Sequence, residues 1–381
     1  ILDEQIPFLT ASPLGLDELE HYGEYPKTER TFSIMEHCLR AIEKGSTPGL
    51  HGLPLIGNGD WNDGMNRVGE RGLGESVWLA WFICDVLNRF AAVCEESGDG
   101  KNAKRYRARA REYAAAIENS AWDGGWYRRA YFDDGKAIGS IQNPECQIDA
   151  IAQYWSVLSG VGNPERSRKA MQSALERLVR PEDRLSLLFT PPFDKSPLDP
   201  GYIKGYLPGT RENGGQYTHA ATWTAWAFAS LGEGKTAGEL FDMLNPVFQS
   251  DSQEKTDTYR VEPYAMCADI YSVAPYVRRG GWTWYTGSAA WMYRLGLEAI
   301  LGFKKIGSDL FIDPTIPPEW DGFEIRYQFG GSVYLIQVTN PDHVAHHVVR
   351  IMLDGQPQVA NSISLVNDKR EHRVEVVLGN K

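Results

Sequence analysis

The feature that most constrains this chain is a helical pattern that returns about every 70 residues. Strongly apolar helices are predicted at 75–97, 147–159, 219–231 and 288–301, and more polar helices follow the first three at 102–120, 163–179 and 236–244. A helix that is apolar on most faces must be buried, whereas an amphipathic helix can cover it from outside. The alternation therefore predicts a mainly α fold, an α/α toroid with inner helices inside outer ones.

The segment before each apolar helix is rich in glycine and aromatic residues. In a ring of helices these loops converge at one end, where a rigid scaffold can hold functional side chains. Upstream, three prolines predict an irregular stretch over 1–30. Apolar spacing from Thr31 to about Lys44 predicts a further helix that starts from a Thr31 cap.

The loop over 57–66 places two carboxylates among glycines, amides and a tryptophan. Asp60 or Asp63 could act as a general acid or base if its surroundings tune its pKa. Trp61 offers a flat face on which a sugar ring can stack. A surface turn held by Asx hydrogen bonds around a buried Trp would explain the same residues. The loop alone does not decide between these interpretations.

The other loops of the ring carry further candidate site residues: Arg128, Glu212, His219, Thr286 and Gly287. Such a mixture suits a polyhydroxylated substrate. Hydrolysis of a glycoside would use two carboxylates, Asp63 and Glu212. Alternatively, His219 and the backbone N–H groups of Thr286 and Gly287 at a helix N-terminus could bind an anion. Phosphate would then replace water as the nucleophile.

Each of these residues also has a plain structural explanation. Glu212 could pair with a neighbouring arginine, His219 could be a core histidine, and Thr286 could be an ordinary N-cap. The spacing of these residues therefore does not distinguish a hydrolase from a phosphorylase. It also does not show whether the residues form a functional site or only support the structure.

Charge and cysteine content limit the class of protein. A formal net charge of -11 argues against nucleic acid or an anionic membrane as a partner. The five cysteines are scattered without a CxxC pair, so reduced thiols and no metal site are expected. No uninterrupted apolar run reaches the roughly 18 residues that span a bilayer, so no transmembrane helix is expected. The expected location is cytoplasmic.

The pattern changes after Phe303. Short alternating runs separated by turns predict β-strands and a small β-sandwich-like domain over 304–381, after the helical part over 1–303. This domain is expected to be structural. Its histidines at 343, 346 and 347 are expected to be solvated strand-edge residues rather than metal ligands.

Three motifs together resemble the inverting glycoside phosphorylases of glycoside hydrolase family 94. They are Gly59-Asp-Trp-Asn-Asp-Gly-Met-Asn66, Tyr206-Leu-Pro-Gly-Thr-Arg-Glu-Asn-Gly-Gly-Gln-Tyr-Thr-His219 and Trp282-Thr-Trp-Tyr-Thr-Gly287. The likeness covers nearly the whole chain. The motif residues most resemble those of the phosphorylase-like C-terminal region of cyclic β-1,2-glucan synthases and those of 1,2-β-oligoglucan phosphorylases.

The resemblance implies roles for the sugar-binding residues. Asp63 would be the general acid that protonates the glycosidic oxygen. Asp60 and Trp61 would shape the donor-sugar site, and Glu212 would bind donor hydroxyl groups. The implied reaction is phosphorolysis of a β-glucan to α-glucose 1-phosphate with inversion, and the expected substrate is a β-1,2-linked gluco-oligosaccharide.

The resemblance also implies a phosphate site made by His219, Thr286 and Gly287. Inorganic phosphate would be a co-substrate, and no cofactor is expected. Because phosphate is itself the nucleophile, a general base is not needed. Arg128 and Gln153 complete the set of candidate substrate-binding residues.

One departure from the family concerns the missing early helices. Family members carry an N-terminal β-sandwich and early barrel helices that supply an arginine to the phosphate site. The (α/α)6 toroid is therefore expected to be incomplete here, with an upstream portion of the same polypeptide as a partner. Several alternatives stay open. The function could be that of an inverting hydrolase or of a non-catalytic glucan-binding fragment. The chain could also form a homodimer or belong to the cytoplasmic part of an inner-membrane synthase.

Overall fold

The computed structural model describes residues 1–15, 18, 21–358 and 361–380. Its α-helices are α1 (Ile34–Gly45), α2 (Val77–Glu96), α3 (Gly100–Ser120), α4 (Ala150–Leu158), α5 (Pro164–Leu178), α6 (Thr218–Ser230), α7 (Gly234–Leu244), α8 (Pro246–Gln249), α9 (Gln253–Tyr259) and α10 (Thr286–Arg294). A π-helical turn, Leu295–Ile300, continues α10, and 3₁₀ turns occupy Asp63–Met65 and Tyr202–Gly205.

The helices alternate between an inner and an outer set, as the sequence predicts. The apolar helices α2, α4, α6 and α10 contact one another in chain order. The more polar α3, α5 and α7 each pack against the apolar helix that precedes them. This arrangement is consistent with part of an (α/α)6 barrel. The last apolar helix was predicted as one α-helix to 301, but its final turns are π-helical.

The longest apolar helix, α2, is long and apolar enough by composition to cross a membrane. Core helices of globular proteins pass the same test, and α2 behaves as one. Its Trp81 and Cys84 are completely buried, and it packs against α3 and α4.

The helical part also contains short strands: β1 (Gln5–Leu9), β2 (Lys27–Ser33), β3 (Glu75–Ser76), β4 (Ala130–Tyr131), β5 (Ala137–Ile138), β6 (Ile148–Asp149), β7 (Val179–Arg180), β8 (Leu185–Ser186), β9 (Phe189–Thr190), β10 (Gln216–Tyr217) and β11 (Asp269–Ile270). β3, β6 and β10 each lead directly into an apolar helix and pair with β4, β9 and β11 respectively. The paired strands hold the loops at the helix starts in fixed positions.

The N-terminal segment differs from the sequence prediction. β1 pairs antiparallel with β2, so 1–30 is not wholly irregular. Thr31 lies within β2, and Ser33 caps α1 by accepting a hydrogen bond from the N–H of Glu36 at 3.1 Å. The predicted helix is present as α1, but its predicted Thr31 cap was wrong, because strand pairing holds Thr31 in an extended conformation.

The C-terminal part is all β, as predicted: β12 (Phe303–Ile306), β13 (Asp309–Ile312), β14 (Gly322–Phe329), β15 (Ser332–Thr339), β16 (Val348–Leu353), β17 (Gln356–Pro357), β18 (Ser362–Ser364) and β19 (Glu371–Leu378). One sheet has the order β14-β15-β19-β16-β17, and the other has β12-β13-β18. Alternate residues such as Tyr334, Ile336 and Val338 face the core. One hydrophobic cluster continues from these strands into the helices.

Candidate active site

The loop before α2 is anchored by a buried ion pair between Asp60 and Arg129. The Arg129 guanidinium donates two hydrogen bonds to the Asp60 carboxylate, both at 2.6 Å. The Ser76 hydroxyl, at the N-cap of α2, donates a third at 2.6 Å. Asp149, the N-cap of α4, lies 3.3 Å from Nε of Arg129. The side chains of both aspartates and of Arg129 are almost completely buried.

Arg129 affects the pKa values of its two neighbouring carboxylates differently. Burial opposes ionisation of Asp60, but the charge and hydrogen bonds of Arg129 outweigh burial and hold the pKa of Asp60 below its ordinary value. Burial raises the pKa of Asp149 to about 6, because the attraction of Arg129 only partly offsets it. Asp60 is therefore the ionised partner, held away from solvent.

Asp63 has the opposite environment, although it lies in the same loop. It begins a 3₁₀ turn that Asn62 caps by accepting a hydrogen bond from the N–H of Gly64 at 3.1 Å. Asp63 is exposed, and no ion pair or hydrogen bond to its carboxylate occurs among the described residues. The loop thus presents one free carboxylate and buries the other.

Trp61 and His219 connect this loop to the start of α6. The Trp61 indole N–H donates a long hydrogen bond, 3.4 Å, to Nδ1 of His219. Burial lowers the pKa of His219 to about 4, so the ring is neutral at pH 7. An indole nitrogen can only donate, so Nδ1 accepts and the ring proton is on Nε2. Nε2 is buried and has no partner in the described part of the chain.

Helix α10 packs against His219, and the residue that precedes α10 contacts Tyr217. Trp291 of α10 stacks on the His219 ring at a centroid distance of 5.8 Å, and the hydroxyls of Tyr217 and Tyr285 are 3.1 Å apart. Tyr285 is at the N-cap position, but none of the described side chains caps this helix. A Cβ added at Gly287 would meet no atom within 4 Å, so there is open space above the second residue of the helix.

Two more buried polar atoms in this region have no hydrogen-bond partner among the described residues. The Ser288 hydroxyl, in the first turn of α10, is completely buried and unbonded within the described residues. Oε2 of Glu212 lies 3.5 Å from Nε of Arg211 without hydrogen-bond geometry. Burial raises the pKa of Glu212 above its ordinary value. Buried polar groups without partners are costly, so such a cluster is typical of a ligand site.

Residues 11–302 match the family model described as "Glycosyl hydrolase 94 superfamily, catalytic domain". The chain belongs to the glycosyl hydrolase 94 superfamily. The resemblance to this family that was seen in the sequence is therefore confirmed. Membership implies an (α/α)6 barrel, and the arrangement of the helices is consistent with it.

Three relatives in this superfamily illustrate its range. The chain is 46% identical to the cyclic beta-(1,2)-glucan synthase NdvB of Rhizobium meliloti (strain 1021), over 92% of this chain and 12% of that protein. It is 30% identical to the solabiose phosphorylase of Paenibacillus borealis, over 98% and 46%. It is 22% identical to the 1,2-beta-oligoglucan phosphorylase of Listeria innocua serovar 6a, over 86% and 31%. The chain thus spans less than half the length of each relative.

Two sequence-predicted substrate residues have other roles in this glycosyl hydrolase 94 chain. Gln153 is completely buried, and its amide bonds the N–H and carbonyl of Tyr127 and the carbonyl of Asp149 at 2.8 Å each. Arg128 is bound to Asp123, to the Ser120 carbonyl and to the Tyr131 hydroxyl. These bonds give both side chains a structural role. Gln153 is completely buried, which leaves it no face for a sugar, whereas the Arg128 side chain is still 28% exposed and its contact with a substrate stays a prediction.

The buried members of the site could not be recognised from the sequence. Arg129 follows Arg128 directly, and only burial distinguishes the two. One feature of the sequence points to Asp149: it lies just before a predicted apolar helix, at the position where an N-cap residue is expected. Ser288 lies at the predicted start of the last apolar helix. The remaining predicted residues, Asp60, Trp61, Asp63, Glu212, His219, Thr286 and Gly287, lie on the loops and helix starts described above.

Proposed function

We propose that this chain carries the acid and phosphate-binding residues of an inverting β-glucan phosphorylase. The observation that carries the proposal is the neutral His219 ring, which stacks on Trp291 of α10 and whose Nε2–H has no acceptor among the described residues. N–H donors at a helix start are suited to a phosphate. His219, Thr286 and Gly287 would hold the nucleophile, and the buried Ser288 hydroxyl would add a donor.

Asp63 is the proposed general acid. Its carboxylate is exposed and uncommitted, whereas Asp60 is bound to Arg129 and cannot exchange protons with a substrate. Glu212 would accept hydrogen bonds from donor-sugar hydroxyls through Oε2, which accepts no hydrogen bond from the described residues. Phosphate would attack the anomeric carbon as Asp63 protonates the leaving oxygen, which releases α-glucose 1-phosphate.

The proposed substrate is a β-1,2-linked gluco-oligosaccharide. The names of two relatives, a cyclic β-(1,2)-glucan synthase and a 1,2-β-oligoglucan phosphorylase, support this linkage. Control of glucan chain length is a role that fits such a reaction.

The proposed complete ring contains helices beyond those of this chain. The inner helices leave a concave surface with a cavity of about 540 Å³, and its aromatic lining includes Trp78, Trp155, Trp223, Trp226 and Trp291. Additional barrel helices from the same polypeptide would cover this surface and add a cation to the phosphate site.

The test is phosphate-dependent release of α-glucose 1-phosphate from β-1,2-gluco-oligosaccharides. It should be run with this chain and with the chain joined to any upstream sequence that its gene encodes. Release that requires phosphate and Asp63 supports the proposal. Glucose release at the same rate with and without phosphate would instead identify an inverting hydrolase, and no release from either protein would refute the proposal.

A further inference from the structure

A cleft between the helical part and the C-terminal part lies outside the candidate active site. It has a volume of about 220 Å³ and is named the α7 cleft here. Helix α7, the π-helical turn after α10 and the segment before β14 form its walls, through Gly238, Phe241, Gly296, Ile300, Pro317 and Trp320. Because α10 and the π-helical turn run without a break from residue 286 to residue 300, the cleft lies roughly 20 Å from the N-terminus of α10.

Two helical glycines give the cleft its shape. A Cβ added at Gly238 would lie 2.6 Å from Cγ of Pro317, so α7 and the segment before β14 could not approach so closely with any other residue there. A Cβ added at Gly296 would lie 3.2 Å from the Phe241 ring. Glycine is unfavourable inside a helix, and π-helical turns are rare and frequently occur at functional sites. The two glycines therefore indicate that the shape of the cleft matters more than the stability of its helices.

Trp320 stands at the edge of the cleft on a rigid turn. It is 41% exposed, and its indole N–H donates no hydrogen bond within the described part of the chain. Its backbone N–H donates to the Pro317 carbonyl at 3.0 Å, and its carbonyl accepts from the buried Asn340 amide at 3.1 Å. Pro317 and Pro318 also restrict the turn, because their rings fix φ. The indole is therefore available to a ligand on a backbone that is already ordered, which lowers the entropic cost of binding.

The polar groups at the rim of the cleft are mainly hydrogen-bond acceptors. Asp242 and Glu319 form no side-chain ion pair or hydrogen bond with the described residues. Glu239 has only a loose contact with Lys235, at 3.9 Å. An apolar floor, an exposed indole and carboxylates without donors suit the C–H face and the hydroxyl groups of a sugar ring. The net negative rim disfavours a phosphorylated or otherwise anionic ligand.

We propose that the α7 cleft is a second carbohydrate site, which holds one sugar ring of a neutral glucan strand away from the candidate active site. The ring stacks on Trp320, and its hydroxyl groups donate to Asp242 and Glu319. A volume of about 220 Å³ is below the roughly 300 Å³ at which sites for drug-sized molecules begin, so it suits a single ring. The sugar class follows from the cleft, whereas the choice of a β-1,2-linked glucan rests on the proposed function. A second site keeps a long glucan at a high local concentration on the protein.

The test is a titration with a linear β-1,2-gluco-oligosaccharide without phosphate, followed by the proton–nitrogen spectrum of the tryptophan indoles. The Trp320 signal is the one that disappears in Trp320→Phe, and it should shift as the glucan is added. The Kd obtained from this signal should rise about tenfold in the double variant Asp242→Ala, Glu319→Ala, because the sugar hydroxyls lose charged acceptors. The matched control is Glu324→Ala, Glu375→Ala, which removes two exposed carboxylates from the C-terminal sheet and should leave this Kd unchanged.

The proposal is overturned if the Trp320 signal does not move during the glucan titration, or if the control double variant raises the Kd equally. Shifts of this signal with choline but not with glucan would also overturn it, because they would identify a site for an organic cation. Circular dichroism establishes that each variant is folded. Because the Trp320 signal reports on the cleft and no phosphate is present, the proposed reaction can fail while the cleft still binds, and the reverse.

Discussion

The indole nitrogen of Trp61 lies 3.4 Å from Nδ1 of His219, and this contact fixes which nitrogen of the ring carries the proton. The neutral imidazole accepts at Nδ1 and donates from Nε2. The acid loop and the proposed phosphate site are therefore joined by one hydrogen bond between residues that are distant in the sequence.

Replacing Trp61 by Phe removes this donor but keeps an aromatic ring. The His219 proton should then be shared between both nitrogens, and the KM for phosphate should rise about three- to tenfold. Nitrogen-15 chemical shifts of the His219 ring report the tautomer directly. Trp78→Phe is the control, because the Trp78 indole N–H has no partner in the described structure. An unchanged tautomer in Trp61→Phe would contradict the assignment.

Asp63→Asn should abolish acid catalysis with little change in stability. General acids contribute about 10²- to 10⁴-fold to the rate, and the amide is nearly isosteric with the carboxyl group. The measurement is α-glucose 1-phosphate release together with the thermal unfolding midpoint. Asp134→Asn is a matched control on the surface, where Asp134 pairs with Lys136. Substantial activity in Asp63→Asn would exclude Asp63 as the acid.

Arg129→Met should destabilise the protein by about 3–5 kcal/mol, because it leaves two buried carboxylates without their cation. The free energy of unfolding in urea at pH 7 measures this loss. Arg128→Met should cost less, since that guanidinium is partly exposed and its ion pair with Asp123 is partly screened. Adding Asp60→Asn and Asp149→Asn to Arg129→Met should recover part of the loss. Equal losses in the two single arginine variants would contradict the ion-pair interpretation.

His219 should make the folded state lose stability on acidification. Its folded pKa of about 4 lies below the ordinary value of 6.5. Its contribution is therefore fully present above pH 6.5 and is lost as the pH falls towards 4. Between pH 7 and pH 5 the stability difference between the wild-type chain and His219→Gln should shrink by about 2 kcal/mol. Asp149, whose raised pKa acts in the opposite sense, contributes to both proteins and cancels. Parallel stability curves would refute the neutral ring.

The alternation of apolar and polar helices could be read from the sequence because burial imposes periodicity on each helix. The paired strands at the helix starts could not, since two-residue strands carry no periodic signal. The N-terminal hairpin was missed for a related reason. Its partners, β1 and β2, are far apart in the sequence, and their pairing is decided by contact rather than by local preference.

By itself the sequence determined which residues are candidates for the site. They lie in short contiguous motifs, around Asp60 to Asp63 and in the loops at Glu212, His219 and Thr286, and such motifs can be recognised without the fold. Only the tertiary structure decided which of these residues are structural and which are available to a substrate. It buried Asp60 against Arg129, left Asp63 exposed, committed Gln153 and Arg128 to structural bonds, and oriented His219 through Trp61. Burial and hydrogen-bond partners depend on residues brought together from distant loops, and these set the charge and proton position of each group.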